Sequence, residues 1–545
     1  MLYLLGTLAL ILPTLLGWGF LATYVFPIQK RLSSYLVAGF VSLGFLWTVI
    51  AFFTGISLCI EAITILIGIG FFIQSKLYIL FRNFLKENYK IFLPFFGIIL
   101  FAASFYPFIL DHFGYYVPTI FWLREYGLVQ GISNLDLILG QMSTWHVLQA
   151  GFSNFADPYL RLNTLVLLVY LIYALEKKKW IHFLILPILL LFVQSPSPDL
   201  PAIVFGLMLV NELLNYNKNI SSLFALSCFI ILIKPTLIWA PLAVFLYGLF
   251  VLKKRNFWWV PGGCILLLFM IKNLCTFGYP VFPMTILDFN LPWKPNAELM
   301  QNSAEISIQK TFDMQFSVEQ IQHFSFGDKV YHWFFLKGIK SVIHIIFALS
   351  LIIIGVFAFV RKSKTITILF VSILLKSLLI IAVSAQYRFL LDVFFVIILM
   401  LFYQIKFKKT VLIASFGASL LLLSILFNPF WLRTWIPSFK LGHFMGTFKA
   451  SQLIKPSEYS LKKYKTYQIG NLKFNVVDSY PFSFDTPLPA ISPGFIVEYK
   501  DAGIFPQLKD GKNLKNGFIW KEINPEEKQK LEIILKNWEE NSKKR

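Results

Sequence analysis

Apolar residues fill most of the first 428 positions in long stretches broken by short polar segments. A helix that crosses a hydrocarbon core needs about 20 mostly apolar residues, and fewer suffice inside a bundle. That pattern predicts about fourteen spans, beginning near Leu2, Tyr35, Cys59, Ile91, Leu162, Ile181, Pro201, Ile220, Thr236, Phe257, Ser341, Thr365, Phe389 and Thr410. Beyond position 428 the pattern changes. The chain becomes polar, with prolines and strand-like alternation such as YQIGNLKFNVV over 467–477. A closing helix is predicted there, with Asn524 as cap, Pro525 at its first position and Glu527 completing a capping-box-like pattern. The expected fold is an all-α polytopic membrane bundle over 1–428. A small α+β module over 429–545 follows it. No internal repeat appears, so a transporter built from two similar halves finds no support.

Composition agrees with that reading, and charge orients it. Hydrophobic residues make up 57% of the 545 and charged residues 14%, against roughly a quarter charged in soluble domains. Mean hydropathy is +0.68. The net charge of +21 comes from 49 Lys and Arg against 28 Asp and Glu. These cations do not form a nucleic-acid surface, because they fall in short clusters between apolar runs. The clusters are Lys30–Arg31; Lys76, Arg82, Lys86 and Lys90; Lys177, Lys178 and Lys179; Lys218; Lys253, Lys254 and Arg255; Arg361, Lys362 and Lys364; and Lys406, Lys408 and Lys409. With fourteen spans, one orientation puts all seven in the cytoplasm, as the positive-inside rule requires, and leaves both termini outside. The segments 111–161, 195–199, 272–340, 384–388 and the tail then lie outside, and they hold most of the remaining polar chemistry. The apolar N-terminus lacks a basic leader and a cleavage site, so it reads as a retained first helix. The four cysteines form neither a disulfide framework nor a CxxC pattern. His112 and His146 have no zinc-ligand spacing.

The richest stretch is DHFGYYVPTIFWLREYGLVQGISNLDLILGQMSTWHVLQAGFSN, residues 111–154. An apolar run ends directly in Asp111, where an acid is costly unless paired or wet. Aromatic, amphipathic sequence follows, as expected of helices lying in a membrane interface. An ordinary solvated helix end is the bland alternative. The layout resembles the first outer loop of the GT-C superfamily, multi-pass glycosyltransferases that use lipid-phosphate sugar donors. More closely, the chain is similar to a family of bacterial multi-pass proteins of unassigned activity. The similarity rests on Asp111, Tyr116, Pro118, Glu125, Tyr126, Gly127, Val129, Gly131, Asn134, Leu135, Ser143 and Trp145. Val117 stands where that pattern has histidine, and Gln141 and Met142 where it has Gly-Phe-Asn. SPSPDLP (195–201), KNLCTFGYPVFP (272–283) with Asp288, Trp293 and Lys294, QYRF (386–389), and DTPLPAISPGF (485–495) with NGF (516–518) extend the likeness.

The resemblance implies sugar transfer outside the cytoplasmic membrane of a bacterium, in surface glycan or glycolipid assembly. The donor would be a lipid-linked sugar and the acceptor a glycan or glycolipid. No cofactor is implied with certainty, though a divalent metal has a place in such chemistry. Asp111 is the expected catalytic base. Tyr116, Glu125, Asn134, Ser143, Trp145, Asp199, Lys234, Lys272, Asn273, Tyr279 and Arg388 are the expected substrate-binding residues. The chemistry supports this choice independently. Transfer needs a base for the acceptor hydroxyl and cations for the departing phosphate. Arg388, Lys272 and Lys234 stand at expected outer helix ends. The competing structural roles are snorkelling for the two lysines, helix capping for Asp199, and an i,i+4 pair with Asp392 for Arg388. Lys376, inside an apolar run, requires a buried partner or a polar cavity. A lipid-linked-sugar flippase and a non-catalytic scaffold of polysaccharide assembly are the alternative functions.

Overall fold

The computed structural model describes residues 1–430, 447–460, 463–511 and 513–543. The chain is mostly helical, and helices lie on every apolar run picked out above. The first four are α1 (Leu2–Leu21), α2 (Leu32–Phe53), α3 (Leu58–Gln74) and α4 (Leu77–Ala103). Two short helices of the first loop follow, α5 (Val117–Glu125) and α6 (Thr144–Gly151). The central bundle continues with α7 (Leu162–Lys177), α8 (Ile181–Leu189), α9 (Asp199–Leu214), α10 (Ile220–Ile233), α11 (Trp239–Phe250) and α12 (Val260–Thr276). The second large loop carries α13 (Ala297–Thr311), α14 (Val318–His323) and α15 (Phe326–Phe334). The last four are α16 (Ile339–Arg361), α17 (Lys364–Ser384), α18 (Leu391–Phe402) and α19 (Lys408–Phe427).

Fourteen spans are not what these helices support. Among the described residues, five are long and apolar enough to cross a membrane: Leu2–Tyr24, Leu32–Phe53, Ile339–Arg361, Lys364–Ser384 and Lys408–Phe427. The bent pair Leu58–Gln74 and Leu77–Ala103 makes a sixth if it is one broken span, turning by 73° at left-handed Lys76. Five other apolar helices are only 10–17 residues long. The physical reason is that an apolar run reports burial, whether in lipid or in protein. α7 and α9 are buried along nearly their whole length, so their apolar character is accounted for by neighbouring helices. By contrast, α16 leaves Ile352, Val356, Phe359 and Val360 exposed on one side.

Small residues let the first helices approach closely, as membrane helices commonly do. A Cβ on Gly17 would overlap the Gly68 carbonyl, and one on Gly39 would overlap that of Leu15. Beyond the bundle, two antiparallel hairpins form, β1 (Tyr464–Ile469) with β2 (Leu472–Val477), and β3 (Ile504–Leu508) with β4 (Phe518–Glu522). The helices Pro493–Asp501 and Pro525–Lys543 pack together beside them. Asn524 and Glu527 form the reciprocal cap expected at the start of the last helix.

This tail is bonded onto the bundle. The Met1 amino group donates to the Gln452 carbonyl at 2.8 Å, and Gln452 donates to the Ser104 carbonyl at 3.0 Å. Phe518 N–H donates to the Gln130 carbonyl at 2.9 Å. Buried Arg161 donates to the carbonyls of Ala103, Tyr159, Phe105 and Ser457. Glu61, unremarked within its apolar run, accepts the backbone N–H groups of Asn154, Phe155 and Ala156. The N-terminus, the first loop and the tail therefore gather at one end of the bundle.

Candidate functional site

After α4 ends, the chain runs through residues 104–110 to Asp111, which directly precedes a single π-helical turn, His112–Tyr116. That turn leads directly into α5. Such turns are rare and often sit at functional sites. Here it carries His112, Tyr115 and Tyr116 inward while the Asp111 carboxylate stays half-exposed. Its partner comes from 277 positions away. Arg388, in the 3₁₀ turn Tyr387–Phe389 between α17 and α18, brings Nη1 to 3.2 Å from Asp111 Oδ2.

A second acid–base pair lies beside the first. Lys234, at the end of α10, pairs with Asp199 at the start of α9. Ser197 Oγ donates to Asp199 Oδ2 at 3.1 Å, and the Tyr116 hydroxyl reaches Ser197 Oγ at 3.5 Å. The Phe389 ring joins the two pairs, with Lys234 Nζ 5.6 Å and the Arg388 guanidinium 4.9 Å from its centre. Capping and snorkelling, the structural roles open to Asp199 and Lys234, give way to their pairing with each other.

Asp392 does not pair with Arg388. It points into the bundle, where Oδ1 lies 2.7 Å from Lys376 Nζ and Oδ2 accepts from Trp239 Nε1 at 2.8 Å. Lys376 also donates to the Phe389 carbonyl. The buried lysine thus finds its partner and, through the backbone, fastens the turn that presents Arg388.

Burial pushes the Asp111 carboxyl above the ordinary carboxylate range, and the Arg388 guanidinium opposes that rise. A carboxylate with a raised pKa is a better proton acceptor near neutral pH. Beneath it, His112 bonds Ser195 Oγ at 2.9 Å. Burial drives His112 well below the ordinary imidazole range and His146 down to about 3, so both rings are neutral. Burial raises the phenols of Tyr115 and Tyr116 far enough to keep them protonated. The two carboxylates are each committed to a cation. No group of three or more His, Cys, Asp or Glu among the described residues could hold a metal ion. A hard divalent cation wants several oxygen ligands, and this donor set does not fit one.

Of the residues expected at the site, the structure brings together Asp111, Tyr116, Asp199, Lys234 and Arg388. The others are engaged in contacts of their own. Lys272 is buried and donates to the carbonyls of Gln141 and Met142 at 2.6 and 2.9 Å, so it stabilises a turn and is not free for phosphate. Asn273 donates to the Pro280 carbonyl. Tyr279 packs in a small cluster with Leu137, Phe277 and Met300. Ser143 caps α6 and donates to the Ile233 carbonyl. Trp145 is buried and donates to Asn163. Asn134 donates to Trp293 at 2.8 Å and to Gly131 and Phe518, joining both loops to the tail. Glu125 sits at the far end of α5 and pairs with its neighbour Arg124 at 3.4 Å. Sequence reading missed Lys310, at the end of α13, which lies close enough for Arg388 and Asp111 to act on its charge. No spacing marks it, since it stands in a polar helix whose fold-back is a tertiary event.

The sequence model of a family described as a domain of unknown function, DUF8201, matches residues 1–395. No curated protein and no solved structure matches the chain.

Proposed function

The chain belongs to the DUF8201 family, and we propose that it is a membrane glycosyltransferase moving a sugar from a polyprenyl-phosphate-linked donor to a glycan or lipid acceptor. The observation that carries this reading is the Asp111–Arg388 pair beside Asp199–Lys234. It sets one half-exposed carboxylate of raised pKa among cations suited to phosphate. In the reaction, the acceptor oxygen bonds to the anomeric carbon and its proton passes to an Asp111 oxygen. The bond from that carbon to the phosphate oxygen breaks, and the electron pair leaves on the phosphate. Arg388 couples the two events. As Asp111 gains the proton, Arg388 loses its internal counter-ion, and its planar fork becomes available to the leaving group. Lys234 adds a second cation beside it.

The same reading places the site and both termini outside the cytoplasm. The shared end of the N-terminus, first loop and tail supports a common side for the site and both termini. Lys376, buried in the bundle, is neutralised by Asp392 and so offers no free polar site of the kind a flippase needs. Sugar transfer by purified Asp111→Asn protein tests the proposal. Loss of a general base costs on the order of 10²–10⁴-fold. Near-normal transfer by a well-folded Asn variant would instead favour a non-catalytic scaffold.

A further inference from the structure

A cavity of about 110 Å³ opens at the end of the bundle opposite the one where the N-terminus, first loop and tail gather. The first helix fixes that position. α1 starts at the Met1–Gln452 contact, and its 20 residues run about 30 Å, roughly the thickness of a hydrocarbon core. The chain then turns through residues 22–31 into α2. Exposed Tyr24 and Val25 on that turn suit a membrane interface. The turn is pinned on both sides. Ser222 Oγ donates to the Pro27 carbonyl at 2.7 Å, and Lys177 donates to Gln29 Oε1 at 3.2 Å. Glu176 accepts the N–H groups of Leu32 and Ser33 at the start of α2. Between the turn, α2, α9 and α10 a gap remains, and it is graded. Gln29, Glu212 and Asn219 stand at its mouth. Further along the helices it is walled by Ala38, Val41, Met208 and Leu226. Ser34, Ala38 and Val41 share one face of α2 and extend the gap about 10 Å inward. The small side chains of Ser34 and Ala38 leave the room.

The mouth is basic. Lys30, Arg31, Lys177, Lys178, Lys179 and Lys218 lie on the segments that frame it. The two carboxylates beside them are already engaged. Glu212 takes Lys177, the Tyr173 hydroxyl and the Asn217 amide, and Glu176 is held at the start of α2. Exposed Lys30 and Lys218 have no ion-pair partner among the described residues. Asn219 precedes α10, yet its side chain caps nothing. We propose that this cavity holds one acyl chain of an anionic phospholipid, whose headgroup phosphate meets Lys30, Lys218 and the Asn219 amide at the mouth. The inference goes beyond sugar transfer and does not depend on it. A hydrocarbon chain fills apolar space that water gains nothing by entering. A zwitterionic headgroup would bring its own cation to the lysines, whereas an anionic one compensates them.

The test uses full-length protein in mild detergent, titrated with phosphatidylglycerol carrying a fluorescent acyl chain. Unlabelled phosphatidylglycerol, phosphatidylcholine and glycerol phosphate serve as competitors. One phosphatidylglycerol should bind per chain, roughly tenfold more tightly than phosphatidylcholine, the size of one or two lysine contacts with an anionic headgroup. Ala38→Phe fills the cavity and should abolish saturable binding. Lys30→Gln/Lys218→Gln breaks no ion pair, so its fold should persist, and it should bind the two phospholipids equally. Glycerol phosphate lacks the chain and should not compete. Saturable binding that survives in Ala38→Phe would overturn the cavity assignment. If that variant does not fold, the double lysine variant decides, and an unchanged preference there would overturn the proposal. Competition by glycerol phosphate would overturn the lipid assignment in favour of a soluble phosphate. Absence of saturable binding to the wild type, or equal affinity for the two phospholipids, would sink the inference and leave the donor proposal standing.

Discussion

Replacing Asp392 by asparagine removes one negative charge from the bundle interior and leaves the shape of the side chain intact. The Lys376 side chain is 0% exposed and that of Asp392 is 6% exposed. Lys376 has one other acceptor, the Phe389 carbonyl, which cannot neutralise it. Breaking a buried pair by deleting one partner costs about 3–5 kcal/mol, because the remaining charge is stranded. Replacing both partners by apolar residues, as in Lys376→Met/Asp392→Leu, removes the stranded charge. What remains is the orphaned Trp239 indole N–H, worth about 1–3 kcal/mol. The double variant should therefore be more stable than Asp392→Asn. Equilibrium unfolding in mixed micelles, followed by tryptophan fluorescence, measures both. The same variants report on function through the turn. Both lose the Lys376–Asp392 anchor, so lipid-phosphate binding through Arg388 should weaken in each, beyond what stability alone explains. An Asp392→Asn protein as stable as wild type would refute the reasoning, since it would mean that water or lipid headgroups reach Lys376.

Three further outcomes are expected. Asp111 acts as a base only when deprotonated, so activity should fall as pH drops through its raised pKa, above the ordinary carboxylate range. Arg388 holds that pKa down, so Arg388→Gln should shift the acid limb of the pH–rate profile to higher pH as well as weaken donor binding; an unmoved limb would separate the two groups. Asn134→Ala strips one donor from three carbonyls on three segments, at a cost of about 1–3 kcal/mol for the buried groups left behind, and hydrogen exchange should rise selectively in β4. With the exposed Cys59 and Cys264 replaced, a membrane-impermeant thiol reagent on intact cells should label Glu298→Cys and spare Lys178→Cys. The reverse pattern would invert the proposed orientation.

What the sequence by itself determined is what local composition and period can encode. Helix content, the change of character after position 428, the Asn524 cap and the singularity of Asp111 at the end of an apolar run all follow from neighbours within a few turns. The number of spans did not follow, because apolarity is the same whether a helix such as α7 is buried in protein or α16 is bathed in lipid. The motif residues divided for a similar reason. Asn134, Ser143 and Trp145 share a loop with Asp111, and Lys272 opens the next large segment; only the folded chain shows that Asn134, Ser143 and Lys272 donate to backbone carbonyls and Trp145 to the Asn163 side chain. The pairings were beyond local reading altogether. Arg388 has Asp392 four positions away, yet it pairs with Asp111 at a separation of 277, because Asp392 is turned inward to neutralise Lys376. A buried charge cannot be left unpaired, whereas one at the boundary can be shared with water. That difference in desolvation cost let the tertiary structure decide which acid Arg388 keeps.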